Sequence, residues 1–152
     1  MHIRPIARAD LPALARMLDT IELFPGDMLA DLIAPCLTDP ASDDVWLTAE
    51  TDGEPVALLY AVPEPATDRA WNMRAIGVRA DRQGGGIGRR MVERLEATLR
   101  ERGQRLLIVD TSGTDGFAGS RAFYRALGYA EEGRVRDFWA DGDSKVVYRK
   151  RL

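Results

Sequence analysis

The run Gln83-Gly84-Gly85-Gly86-Ile87-Gly88-Arg89-Arg90 places four glycines within five positions, where an expected strand from Trp71 to Val78 gives way to an amphipathic helix. The first amides of a helix have no partners within the helix and point outward. The aligned peptide dipoles add partial positive charge at the same end. Glycines let a phosphate touch the backbone because no Cβ intrudes. Arg89 and Arg90 add positive charge nearby. The chemistry this pattern suits is the holding of a phosphate or pyrophosphate.

Two common phosphate motifs do not fit. A P-loop requires Gly-Lys followed by Ser or Thr, and here Gly88 is followed by Arg89 and Arg90. The dinucleotide fingerprint Gly-x-Gly-x-x-Gly fails because Met91 occupies the third glycine position, and the turn lies past the middle of the chain rather than in an early βαβ unit. The strand before the turn carries a second signal. Trp71, Met73 and Ala75 alternate on one face, and then Ile76 and Val78 take over. Such a phase shift fits one inserted residue, a β-bulge that splays the backbone and frees amides. It also fits a strand end buried on both faces.

Other catalytic chemistries find little support. Cys36 is the single cysteine and His2 the single histidine, so neither a thiol–imidazole pair nor a zinc ligand set is expected. Cys36 sits in the apolar run Leu32-Ile33-Ala34-Pro35-Cys36-Leu37 and reads as a packing residue.

The elements that must position the glycine turn follow from hydrophobic period and turn residues. A short strand is expected over His2 to Ala7. A helix follows, with Asp10 as N-cap and Leu11, Leu14, Leu18 and Ile21 on one face. Phe24-Pro25-Gly26-Asp27 breaks it, and a second helix carries Met28, Leu29, Leu32 and Ile33. Strands over Val45–Glu50 and Pro55–Val62 flank the hairpin turn Asp52-Gly53. After Trp71–Val78 and the glycine turn, Ile87, Met91, Val92, Leu95 and Leu99 mark a long helix ending near Gly103. Arg89 with Glu93, and Glu96 with Arg100, are expected as solvent-side pairs on it. Leu106-Leu107-Ile108-Val109 suits a central strand buried on both faces. A short helix from about Phe117 to Leu127, and strands over Tyr129–Asp137 and Lys145–Arg151, complete the chain. The order β-α-α-β-β-β-α-β-α-β-β predicts an α/β fold, a mixed sheet of about seven strands with helices on both faces.

A chain of 152 residues is the size of one domain, and 1–152 is read as such. It can bury roughly 70% of its unfolded surface without disulfides or metal. The net charge of −3, from 21 basic and 24 acidic residues, leaves no basic stripe for nucleic acid or an anionic membrane. Neither partner is expected. One cysteine and no signal core point to the cytoplasm.

Gln83-x-x-Gly86-x-Gly88 after that strand, with Phe123-Tyr124 and Leu127-Gly128-Tyr129 later, resembles the GNAT superfamily of N-acetyltransferases, and the element order agrees across nearly the whole chain. The resemblance implies a splayed V between the fourth and fifth strands that holds the pantetheine arm of acetyl-CoA. It implies that backbone groups of Ile76 and Val78 contact the arm and the acetyl carbonyl. Amides from Gly84, Gly85 and Gly86 through Ile87, Gly88 and Arg89 would hold the pyrophosphate, with Gln83 opening the motif. Tyr124 would lie near the sulfur.

The implied chemistry sets demands. A free alkyl amine with a pKa near 10.4 is about 99.96% protonated at pH 7, so a base or water chain must take a proton before attack. The oxyanion needs a donor, for which the amide of Val78 fits. The thiolate needs a proton, and Tyr124 is the expected acid. Family members often carry a glutamate on the strand before the turn, yet Trp71 to Val78 contains no acidic residue. Glu64, Asp110 and Asp137 are the carboxylates that could reach the cleft through water. No metal is expected.

The acceptor would be a primary amine of a small molecule, amino acid or peptide, walled by Glu22–Asp27 and Val135–Trp139. A homodimer contact through Phe138 and Trp139 remains open. A coenzyme A-binding module without turnover is the alternative.

Overall fold

The computed structural model describes all residues, 1–152. Its strands are β1 (His2–Pro5), β2 (Val45–Thr51), β3 (Glu54–Pro63), β4 (Ala70–Val78), β5 (Leu106–Ser112), β6 (Ala130–Ala140) and β7 (Asp143–Arg151). Its helices are α1 (Leu11–Leu18), α2 (Leu29–Thr38), α3 (Ile87–Glu101) and α4 (Ala118–Ala126). The strands form one seven-stranded sheet in the order β1-β2-β3-β4-β5-β7-β6. All neighbours are antiparallel except β4 and β5.

Local chemistry explains the joints. Asp52 and Gly53 both have positive φ, 55° and 79°, the mirror-image turn that matches the twist of the β2–β3 hairpin. Helix α3 ends at Gly103 (φ 71°), where the amide of Gln104 bonds back to the carbonyl of Leu99 at 2.8 Å. Helix α4 ends the same way at Gly128 (φ 88°), with the Tyr129 amide on the Tyr124 carbonyl at 3.1 Å.

Two cores lie on opposite faces of the sheet. One packs Met91, Val92, Leu95 and Leu99 of α3, with Tyr124 of α4, against Leu47, Leu59, Met73, Leu107 and Tyr148. Each such side chain contributes about 1.5–3 kcal/mol on burial. The other packs Leu14 and Leu18 of α1 and Leu29 and Ile33 of α2 against Trp46 and Leu58.

Three expectations need correction. Asp10 does not cap α1; its carboxylate accepts from the Ala7 amide and both terminal nitrogens of Arg4. Strand β5 is fully buried only at Leu107 and Val109 along its apolar run, because α1 and α2 cover β2 and β3 and leave the second face of β5 partly open. Glu96 is not on the solvent side. Its side chain is 4% exposed and accepts from Tyr129 Oη at 3.0 Å and Lys150 Nζ at 2.9 Å, as well as pairing with Arg100. The Arg89–Glu93 pair is solvent-facing, at 3.7 Å.

Candidate active site

The β3–β4 register slips between Tyr60 and Ala61, which oppose Ala75 and Met73, so Arg74 is the extra residue of a bulge. Trp71, Met73, Ile76 and Val78 therefore share the α3 side, and Ala75 leaves that face one position earlier than simple alternation suggests.

Pairing of β4 with β5 stops at Asn72–Ile108, and the strands diverge beyond it. The Arg79 amide bonds to Val56 on β3 at 2.8 Å. Backbone groups alternate sides along a strand, so those of Ile76 and Val78 point the other way, into the gap.

At the mouth of the gap lies the glycine turn. Gly84 and Gly86 take left-handed φ values of 79° and 80°. Amides from Gly84 through Arg89 have no partner within the chain, and the first bonded amide of the helix is that of Arg90, on the Gly86 carbonyl at 3.1 Å. This is a cradle of donors at a helix N-terminus, the environment an anion needs. Gln83 spends its side-chain amide on the Val78 carbonyl, at 2.9 Å, and so ties the turn to the end of β4. Gly85, at the tip of the turn, does not line the cleft as the other turn residues do.

The gap and turn open into one cleft of ≈ 800 Å³. It is lined by Ile76, Val78, Gln83, Gly84, Gly86, Ile87, Gly88 and Arg89 on one side, and by Asp110, Ser112, Phe123, Tyr124 and Trp139 on the other. Tyr124 is 6% exposed, packed between Phe123, Tyr129 and Tyr148. Burial pushes its phenol up to about 12, so it stays protonated at neutral pH and has a proton to donate.

The three candidate carboxylates separate. Asp110 lines the cleft at the head of the splay. Its Oδ2 faces Lys145 Nζ at 3.4 Å and Asn72 Nδ2 at 3.5 Å, and its Oδ1 is buried without a partner. Glu64 lies outside the cleft and accepts from Asn72 Nδ2 at 3.2 Å. Asp137 is exposed on β6 and accepts from the Gly142 amide at 2.7 Å, closing the hairpin turn.

Sequence reasoning missed how Trp139 reaches the cleft. Val135 opposes Lys145 while Ala140 opposes Asp143, so β6 carries a wide bulge between them. The bulge turns Trp139 inward, and its Nε1 donates to the Thr111 carbonyl at 3.2 Å. The positive φ of Asp137, 54°, marks the bend, but no residue type there announces it. Ser112 was also missed; its hydroxyl donates to Asp143 at 2.5 Å at the end of β5. The Cys36 thiol is raised by burial, away from the thiolate. No group of three or more His, Cys, Asp or Glu is arranged to hold a metal, and no helix is long and apolar enough to cross a membrane.

The model of the acetyltransferase (GNAT) family matches residues 11–129. The chain belongs to the GNAT family. A GNAT-family protein from Desulfovibrio desulfuricans is 26% identical, with a TM-score of 0.91 over 99% of this chain and 98% of that one. The ribosomal-protein-S18-alanine N-acetyltransferase of Escherichia coli shares the fold at 20% identity, with a TM-score of 0.79 over 99% and 93% of the two chains. An aminoglycoside 6′-N-acetyltransferase solved with coenzyme A shares it at 20% identity and a TM-score of 0.82, over 99% and 97%. Among curated proteins no sequence match is found. The GNAT assignment makes the seven-stranded mixed sheet with its helices an acetyltransferase-family fold.

Proposed function

We propose that this GNAT protein transfers an acetyl group from acetyl-CoA to a primary amine, by direct attack within a ternary complex. The observation that carries the reading is the run of unpartnered amides from Gly84 through Arg89, at the lip of a cleft that leads to Tyr124. The coenzyme A complex of a structural relative supports acetyl-CoA as donor. Relatives named for an aminoglycoside and for a ribosomal-protein alanine support an amine as acceptor. Residues 1–152 form one acyltransferase domain in this reading, and the single cysteine suits the reducing cytoplasm.

The roles follow from physical chemistry. The turn amides and Arg89 hold the pyrophosphate, with Gln83 fixing the turn. The backbone of Ile76 and Val78 hydrogen-bonds the pantetheine arm. The amine nitrogen attacks the thioester carbon, and the Val78 amide stabilises the oxyanion. The intermediate then collapses with cleavage of the C–S bond. Tyr124 donates a hydrogen bond and proton to the departing thiolate. The proton lost by the amine passes to Asp110 through water, since Asp110 is the carboxylate of the three candidates that lines the cleft. The products are an acetamide and free coenzyme A.

Calorimetric titration with acetyl-CoA, using ATP and NAD as controls, tests the donor site. The expected result is selective binding that Gly86→Glu abolishes, followed by thiol release across a panel of amines. No acetyl-CoA binding by the folded protein, or binding unchanged by Gly86→Glu, overturns the reading.

A further inference from the structure

Arg74 is the residue that the bulge adds to β4, and it is exposed into the cleft. It makes no ion pair or hydrogen bond, unlike its neighbours. Arg79 is paired with Asp81 and Glu54, Arg82 with Asp52 and Asp81, and Arg89 with Glu93. Met73 points into the core under α3, so alternation along the strand turns Arg74 to the α1–α2 face, the face of Asn72 and Asp110. That is the face opposite the core under α3 and α4.

The carboxylates lining the same cleft divide in a complementary way. Asp110 is engaged by Lys145 and Asp143 by Ser112. Glu22, on the loop after α1, is exposed and unpaired. Its loop is fixed in place because Ile21 and Leu23 seat against Gly77 of β4, where a Cβ would meet the Ile21 side chain at 2.6 Å. The acceptor end of the cleft thus offers one uncommitted guanidinium and one uncommitted carboxylate.

We propose that the acceptor is a zwitterionic, amino-acid-like amine whose carboxylate is held by Arg74 and whose ammonium approaches past Glu22. The proposal rests on the acetyl-transfer reading above. A guanidinium matches a carboxylate through two parallel hydrogen bonds, which fixes orientation as well as position. The same cation repels a polycationic acceptor and gives a peptide N-terminus, whose carboxyl is an amide, nothing to pair with.

The test measures thiol release from acetyl-CoA with the common amino acids, each beside its carboxamide and its decarboxylated amine. The expected result is a preference of roughly 10- to 100-fold in kcat/KM for the best amino acid over its carboxamide, the worth of a charge-assisted hydrogen bond. Arg74→Gln should bring that ratio near one and Arg74→Lys should restore part of it, with calorimetric acetyl-CoA affinity retained in both. Equal use of carboxamides, a ratio that survives Arg74→Gln, or rejection of all amino acids by protein that binds acetyl-CoA would overturn the proposal and leave the donor site standing. Failure to bind acetyl-CoA would instead remove the parent reading.

Discussion

Gly88 lies against the ring of Phe123, so that a methyl group at position 88 would stand 3.4 Å from Cζ. This contact seats the first turn of α3 on α4 and brings the amide cradle beside the aromatic cluster around Tyr124. At Gly86 a Cβ would meet no atom within 4 Å, but the φ of 80° there disfavours any side chain. The two positions should therefore fail differently. Gly88→Ala is expected to change the thermal midpoint little, because the contact is close to ordinary van der Waals distance. Gly86→Glu should retain a folded circular dichroism spectrum and lose acetyl-CoA affinity, since a carboxylate would face the phosphates. Parallel melting and calorimetry on the two variants check this.

Tyr124→Phe should lower kcat by about 10²- to 10⁴-fold, the usual worth of a positioned acid, with acetyl-CoA affinity retained. Because burial raises the phenol to about 12, the rate should show no fall from its ionisation below pH 10. The same shift makes the folded state hold this proton more tightly than the unfolded chain, so Tyr124 withdraws stability as pH rises above about 10. Denaturant midpoints of the wild type and Tyr124→Phe from pH 9 to 11 would reveal a steeper decline in the wild type.

Replacing the three carboxylates one at a time ranks them. Asp110→Asn is expected to cost about 10²-fold or more in kcat. Glu64→Gln should cost less, acting through Asn72, and Asp137→Asn should leave kcat unchanged. Steady-state kinetics showing Asp137→Asn as the most damaged would reverse the assignment.

Glu96→Ala should destabilise by roughly 2–4 kcal/mol, because it strips Tyr129 and Lys150 of the carboxylate that accepts from both in a buried site. Urea unfolding measures it. A loss below about 0.5 kcal/mol would mean that the residues rearrange around the gap.

Acid should act on the N-terminal staple. Hydrogen bonds from Arg4 hold the Asp10 carboxyl below its ordinary value of 3.8. That stability is present above the unfolded value and is lost as pH falls through the folded one. Asp10→Asn should remove this part of the acid dependence, as read from urea midpoints between pH 5 and 2.5.

The strands, helices and glycine turn were legible because local signals agreed with one another. Asp52-Gly53 fixed a hairpin, and Gly103 and Gly128 ended helices. The apolar phase shift from Ala75 to Ile76 fitted a bulge or a strand end buried on both faces, and only the register with β3 decides for the bulge. What was not legible depended on contacts distant in sequence. Glu96 looks like one half of a surface pair because its partners Tyr129 and Lys150 come from later elements. Asp110 looked no different from Glu64 or Asp137, since only the divergence of β4 from β5 gives it a place in the cleft. Trp139 reaches the cleft through a bulge whose residues, Arg136, Asp137 and Phe138, carry no turn signature.

The join between β4 and β5 is the narrowest in the sheet. Only the rungs Ala70–Leu106, Trp71–Leu107 and Asn72–Ile108 stitch the sheet together there, and all of α3 lies between the two strands in the chain. Mechanically the sheet is two plates sharing a short weld. Every other pair of neighbouring strands is held by more rungs, so the weld is where the least backbone hydrogen bonding resists opening. Native-state amide exchange would see this as lower protection at the weld than in β2 and β3. The cleft begins where the weld ends, so local opening there would abolish activity while most of the sheet still stands.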